Sequence, residues 1–259
     1  MSGSKKSEIL RNLIDFIKKE GGISVSVASE LFGISEVTAR RYLNEISQME
    51  SLPLRRVRGG IVLETGKGSI EFMFDTKLSI NENEKKRIAK RAAEFVDDGD
   101  SILIDSGTTA FYLARYLKGK RGLKVITVDV KVAEELAKNP DFETYVVGGL
   151  VRPGYFSLGG DLAVEILRRF KVEKTFLTAD AVDPDHGITN SSMFEMQVKR
   201  EIVGAGKKVI LIADHTKIGK IAFVKVVDFE KIDIFITSNG APKDMITRIM
   251  EKGVEVIVV

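Results

Sequence analysis

The chain of 259 residues contains no cysteine and only two histidines, His186 and His215. Without thiols it can form neither disulfides nor thiolate metal centres, and two histidines leave no histidine-rich zinc site to build. No run approaches the roughly 20 apolar residues that a membrane-spanning helix requires. The opening segment, MSGSKKSEIL, lacks the apolar stretch of a signal peptide, so a cytoplasmic chain with no membrane association is expected. Charge of one sign is scarce too: 40 basic against 37 acidic residues leave a net +3, too little to announce a nucleic-acid binder. What is present, 44% hydrophobic and 30% charged residues, is ordinary globular material. The length suits one small domain and one mid-sized domain.

Distribution says more than balance. Arg40, Arg41, Arg55, Arg56 and Arg58 fall within one short stretch, the kind of local basic patch that phosphate contacts use. Before them, Ile9, Leu10, Leu13, Ile14 and Ile17 recur with the spacing of one helix face, and Gly21-Gly22 stops that helix. Ser24 or Ser26 is placed to cap a second short helix that Gly33 ends, and Ser35 to cap a third running to about Gln48. Leu54–Val57 and Ile61–Glu64 then predict two strands around Gly59-Gly60. Three short helices and a hairpin make a winged helix-turn-helix over residues 1–64.

On the third helix Ala39, Tyr42, Leu43 and Ile46 share an inward face. The opposite face carries Val37, Arg41 and Asn44, flanked by Ser35, Thr38 and Arg40. Arginine can bridge guanine O6 and N7, and asparagine adenine N6 and N7, so this face can read a major groove. Lys5, Lys6, Arg55, Arg56 and Arg58 would hold phosphates instead.

Residues 65–83 read as a linker whose cluster Phe72, Met73 and Phe74 docks on a domain or a partner subunit. From residue 84 to 259 apolar strands alternate with helices, which implies a mostly parallel sheet covered on both faces. Asp105-Ser106-Gly107-Thr108-Thr109 follows one such strand and opens a helix, where backbone N–H groups and small hydroxyls suit a phosphate. Gly148-Gly149, Arg152, Gly159-Gly160 and Asp214-His215-Thr216-Lys217 also follow strands, and ligands gather beyond the carboxyl ends of parallel strands. Lys217 would supply a cation to the ligand. Asp180, Asp183 and Glu195 would accept hydrogen bonds from sugar hydroxyls.

The run VASELFGISEVTARRYLNEI followed by RRVRGGIVL resembles the N-terminal domain of the DeoR family of bacterial transcriptional regulators. ILIDSGTT, VVGGLVRPG, SLGGDLA, FLTADAVDPDHGIT, FEMQVKREIV and ADHTKIGK resemble that family's effector domain, so the similarity covers nearly the whole chain. It implies an operator-binding regulator, a repressor of a carbohydrate operon, that responds to a phosphorylated sugar or related metabolite as a homodimer or homotetramer. No cofactor is implied. Two positions depart from the family pattern. Tyr42 stands where aspartate is usual, on the inward face. Val128 stands where an asparagine able to contact ligand is usual.

The effector domain is similar in fold to ribose-5-phosphate isomerase as well, with Asp180, Asp183 and Glu195 where that enzyme has acidic residues. An aldose–ketose isomerase needs a base for its proton transfer, but the enzyme's lysine and glycines are replaced here by PDHGITNSSMF. Retained catalysis and a vestigial pocket governed by a protein partner are the alternatives to a ligand-controlled regulator.

Overall fold

A computed structural model describes residues 2–20, 22–49, 54–57, 59–63 and 74–259. The chain divides into two compact units, Met1–Glu82 and Asn83–Val259. The first contains α1 (Ser2–Glu20), β1 (Gly22–Ser24), α2 (Val25–Phe32), α3 (Glu36–Ser47), β2 (Leu54–Val57), β3 (Gly60–Leu63) and α4 (Phe74–Ser79). Ser24 caps α2 by accepting from the Val27 N–H at 3.1 Å, and Gly33 ends it in the left-handed conformation at φ 59°. Ser35 caps α3 through the Thr38 N–H. Leu13, Ile17, Ala28, Ala39, Tyr42, Leu43, Ile46 and Ile61 form this unit's core.

The sequence pattern contains the β2–β3 hairpin but not β1, which pairs antiparallel with β3 and makes a three-stranded wing in the order β1-β3-β2. Three residues are too few to show a period. Phe74 is buried and starts α4, which packs on β1 and α2, so the end of the expected linker is helical. Gly21, Arg58 and the segment 64–73, with Phe72 and Met73, lie outside the described residues, as do the side chains of Lys5 and Arg55.

The second unit contains α5 (Glu82–Ala93), β4 (Ser101–Ile104), α6 (Thr108–Tyr116), β5 (Lys124–Thr127), α7 (Val130–Leu136), β6 (Glu143–Val146), β7 (Leu150–Val151) and β8 (Leu158–Gly159). It continues with α8 (Asp161–Leu167), β9 (Val172–Leu177), β10 (Ala181–Asp183), β11 (Gly187–Asn190), α9 (Met193–Ala205), β12 (Gly206–Ile212), β13 (Val224–Val227), β14 (Ile234–Thr237), α10 (Lys243–Met250) and β15 (Glu255–Val258). Seven strands form a parallel sheet in the order β15-β14-β12-β9-β4-β5-β6. The apolar strands and the helix faces expected from the sequence build it. The chain winds from β4 outward through β5 and β6, then returns to β9 and winds the other way. Its switch point therefore lies between β4 and β9, where a crevice opens beyond the strand ends.

Three short strands, β10, β11 and β13, form a separate antiparallel sheet, and β7 pairs with β8. The sequence pattern does not show these strands, because two to four residues punctuated by Gly and Asp show no alternation.

Gly60 tests the tightness of the wing. A Cβ there would overlap the Ile23 carbonyl oxygen and lie 2.8 Å from Ser24 Cα. Gly60→Ala is expected to destabilise the first unit by about 1–3 kcal/mol. Amide exchange should rise in α2, α3 and β3 and stay unchanged in the seven-stranded sheet.

Candidate DNA-reading helix and effector site

In the first unit α3 buries Ala39, Tyr42, Leu43 and Ile46. Val37, Arg40 and Arg41 are exposed on its other side, and Arg56 is exposed on β2. The Arg41 guanidinium lies 5.3 Å from the Tyr42 ring centroid, and the Lys6 ammonium 5.9 Å. Tyr42 thus fills the core and offers its face to two cations. Lys6 is also paired with Glu45 at 3.0 Å, so it is not simply waiting for a phosphate. Ser35 and Thr38 contact each other at 2.9 Å and secure the helix start. Asn44 is only half-exposed, and its Oδ1 is buried without a hydrogen-bond partner among the described residues.

In the second unit, the loop Asp105–Gly107 leaves β4 and α6 begins at Thr108, with Gly107 at φ 115°. The N–H groups of Thr108, Thr109 and Ala110 open the helix and have no partner within it. Asp105 is fully buried and paired with Lys199 Nζ of α9 at 2.5 Å. Asp105 Oδ2 also accepts the Thr178 N–H at 2.9 Å, directly after β9. Lys199 Nζ reaches the Thr178 carbonyl at 3.2 Å and Thr178 Oγ1 at 3.1 Å. That hydroxyl lies 2.7 Å from the Ser106 carbonyl, which ties the loop to β9. Burial would strip Lys199 of its proton, but Asp105, Glu195 and Asp180 outweigh it and hold its pKa above the usual lysine value.

Asp129, after β5, supports the loop from the other side. It accepts from Gly107 N–H at 3.0 Å, Lys131 N–H at 2.7 Å and Val132 N–H at 3.0 Å. Burial raises its pKa to about 6 even against these bonds. One loop N–H is therefore already occupied by a carboxylate. Val128 beside it points into the apolar core, so a side chain at that position does not reach the loop from this backbone.

Glu195 accepts from Ser157 Oγ at 2.6 Å, Arg152 Nη1 at 3.2 Å and Asn190 Nδ2 at 2.8 Å. Asp180 accepts from the Ser191 N–H at 3.0 Å. Arg152 stacks on the Tyr155 ring at 3.8 Å. Glu195 and Lys199 are one turn apart on α9, so Asp105, Asp180, Glu195 and Lys199 form one buried charged cluster.

Other expected site residues fall elsewhere. Asp183 accepts from the Asp185 and His186 N–H groups and from the His186 ring, within the turn joining β10 to β11. It acts there as a turn cap. Gly149 is required by packing, since a Cβ would lie 2.6 Å from the Gly159 carbonyl oxygen, and Gly148 sits against Ile166. Lys217 belongs to a second cluster with Asp214, Lys85, Glu84, His215 and Ser238. Burial would raise the Asp214 pKa, but Lys217 and Lys85 hold it below the usual value. His215 Nδ1 lies 2.7 Å from Glu84 Oε2. Glu84, Asp214 and His215 bring ligand-capable atoms within 4.8 Å of one another, but the two lysines already supply positive charge there. A groove of about 410 Å³ lined by Arg200, Lys207, Glu230 and Lys231 lies at the amino end of β12, away from both clusters, and mixes both signs of charge.

Residues 10–67 match the model of the DeoR-like helix-turn-helix domain, and residues 80–239 match the DeoR C terminal sensor domain. The chain belongs to the DeoR family of transcriptional regulators. It is 35% identical to the putative sgc region transcriptional regulator of Escherichia coli (strain K12), over 96% of this chain and 95% of that protein. It is 30% identical to the HTH-type transcriptional repressor GlcR of Bacillus subtilis (strain 168), over 98% and 96%. With the glycerol-3-phosphate regulon repressor of Escherichia coli (strain K12) it shares 28% identity over 92% and 93%. These DeoR-family relatives are regulators, and the isomerase alternative gives way to that membership.

Among solved structures, ribose 5-phosphate isomerase from Plasmodium falciparum covers 52% of each chain at 13% identity and TM-score 0.39. The Pyrococcus horikoshii translation initiation factor eIF-2B covers 84% of this chain and 67% of its own at 15% identity and TM-score 0.42. Among the described residues no helix is long and apolar enough to cross a membrane.

Lys199, Asp129, Thr178, Ser157 and Asn190 are not among the site residues expected from the sequence. Lys199 carried a signal: it lies four residues after Glu195 on an otherwise apolar helix face, where a solvated lysine does not belong.

Lys199→Met leaves the Asp105 carboxylate buried and uncompensated, so a loss of about 3–5 kcal/mol is expected. Adding Asp105→Asn should return part of it, and urea unfolding of the four members of the cycle measures the coupling. For Asp129, the folded-state pKa is raised from 3.8 to about 6. In that window the folded protein holds a proton that the unfolded chain has released, so this group's contribution to stability declines as pH rises toward 6 and is level above it. Asp129→Asn should flatten that segment of the stability profile, read from urea midpoints.

Proposed function

We propose that this chain is a repressor of a carbohydrate-metabolism operon whose operator affinity is set by a phosphorylated sugar bound in the second unit. The observation that carries the proposal is the placement of Ser106–Thr109 at the switch point of the sheet. There an anion-suited helix start stands beside a buried carboxylate cluster. The N–H groups of Thr108, Thr109 and Ala110 would receive the phosphate. Asp180, Glu195 and Asn190 are suited to sugar hydroxyls, with Arg152 beside them. Asp105 Oδ1, buried and accepting no hydrogen bond from the described residues, fits a further hydroxyl donor. The relatives' names, a glycerol-3-phosphate regulon repressor and a putative aga operon transcriptional repressor, support a carbohydrate setting.

On the DNA side, Arg41 and Arg40 would enter the major groove while Ser35, Thr38, Val37 and Asn44 line its approach. Arg55, Arg56 and Arg58 would hold the backbone. A two-fold dimer would present two such helices to half-sites about 34 Å apart. Ligand alters DNA affinity to the extent that it binds the two conformations unequally.

Arg41→Ala is expected to weaken operator binding by about 1–3 kcal/mol and random DNA less. Equal losses in fluorescence anisotropy would assign Arg41 to the backbone. A thermal-shift screen of the full chain against sugar phosphates should find a stabilising ligand without turnover. At a hundredfold excess over Kd the stabilisation is about 2.7 kcal/mol. Thr108→Ala with Arg152→Ala should remove that shift and leave operator affinity intact. An unchanged shift places the pocket elsewhere, and turnover restores the isomerase alternative.

A further inference from the structure

The seven-stranded sheet ends on one side at β6, and this edge differs from a well-protected one. Glu143 N–H bonds to the Leu123 carbonyl and Val147 N–H to the Thr127 carbonyl, each at 2.9 Å. Odd-numbered residues therefore face β5, and the N–H and C=O groups of Thr144 and Val146 point outward. Strand edges are commonly blocked by lysine, proline or a bulge. Glu143–Val146 has no lysine or proline and pairs with β5 in unbroken register.

The surface around this edge is apolar. Tyr145, Val146, Leu150, Val151 and Leu162 are between 41% and 69% exposed. They flank the edge on both faces of the sheet: the Tyr145 ring centroid lies 5.8 Å from that of Phe170, and a Cβ on Gly148 would lie 3.5 Å from Ile166 and 3.9 Å from Leu162, while Val146, next along the strand, points to the opposite face. Leu162, Ile166 and Phe170 share one face of α8 and its extension. Their exposed parts sum to on the order of 400 Å² over the two faces that flank the edge. Two such patches and the strand backbones bring the buried area to ~1,000 Å², about the threshold for specific association. β15, the opposite edge, exposes Val258 as its one large apolar side chain.

We infer that β6 pairs antiparallel with β6 of a second copy of this chain, about a two-fold axis at Tyr145. The register follows from the outward groups. Thr144 of one protomer and Val146 of its partner exchange N–H···O=C bonds in both directions, and the same pair recurs across the axis. All four outward groups of each strand are then used. Tyr145 faces its own mate as a non-hydrogen-bonded pair, the closer of the two cross-strand geometries, where aromatic pairs contribute most readily. Glu143 falls opposite Val147, so no like charges meet. An isologous contact of this kind closes at two copies and leaves no β6 edge exposed. The inference rests on the two-fold regulator proposed above and names the surface that makes the two-fold.

The absence of native cysteine makes the test direct. Tyr145→Cys in the full chain puts two thiols on residues whose Cα atoms lie ~4.5 Å apart in this pairing, inside the disulfide range. Mild oxidation should give a covalent dimer on a non-reducing gel, while Glu143→Cys, displaced from the axis, should not. Val146→Pro removes an outward N–H and no bond to β5, so analytical ultracentrifugation should show the dimer dissociating at concentrations where the wild type remains paired. Cross-linking of Glu143→Cys as fast as Tyr145→Cys overturns the register. A Val146→Pro chain that sediments as the wild-type dimer overturns the surface, and leaves the regulator proposal standing on its DNA and ligand measurements.

Discussion

The Lys199–Asp105 ion pair is the interaction on which the second unit's organisation depends. Asp105 ends β4 and Thr178 follows β9, the two neighbouring strands from which the chain winds in opposite directions. At such a junction no covalent connection joins the strand ends, and the loops above them could drift apart. One ammonium group, reaching up from α9, holds both. Burying it is expensive. The acceptors around it are spaced so that all three of its protons are used, and nearby Glu195 and Asp180 keep it charged. The helix start at Thr108 takes its position from this fixed point.

The fold was legible to the degree that its elements were long. The apolar strands of the parallel sheet and the amphipathic helices announce themselves by period, and Ser24, Gly33 and Ser35 mark helix ends by cap chemistry that is local to the chain. β1, β7, β8, β10, β11 and β13 were not legible, because strands of two to four residues are defined by what they pair with. The site was half-legible for the same reason. Asp105, Asp180 and Glu195 stand out as polar groups at the ends of apolar strands or on an apolar helix. Asp183 looks equivalent in sequence, yet it is used by its own turn. Gly149 looks like a phosphate-binding glycine, yet the close approach of Gly159 explains it. Val128 stands where the family pattern has an asparagine, yet the side chain that meets the loop belongs to Asp129, one residue further on.

The two units use different chemistry for comparable ends. In the first, Tyr42 replaces a charged residue and turns the inner face of α3 into an aromatic surface that Arg41 and Lys6 can rest against. The guanidinium of Arg41 is thereby held over a ring in the absence of DNA, which limits the rotamer freedom that contact with a base would otherwise remove. In the second, the organising contacts are buried charges and hydrogen bonds.

α9 has one further property. Lys199 faces the switch point, and the next residue, Arg200, donates to the carbonyls of Val226 and Lys225 at 2.9 and 3.0 Å. Adjacent residues of one helix thus grip the parallel sheet and the small antiparallel sheet at once. A helix turn is stiff, so these two grips cannot shift independently, and α9 holds β13 in fixed relation to the switch point. One turn of α9 thus pins the antiparallel sheet of β10, β11 and β13 to the buried ion pair.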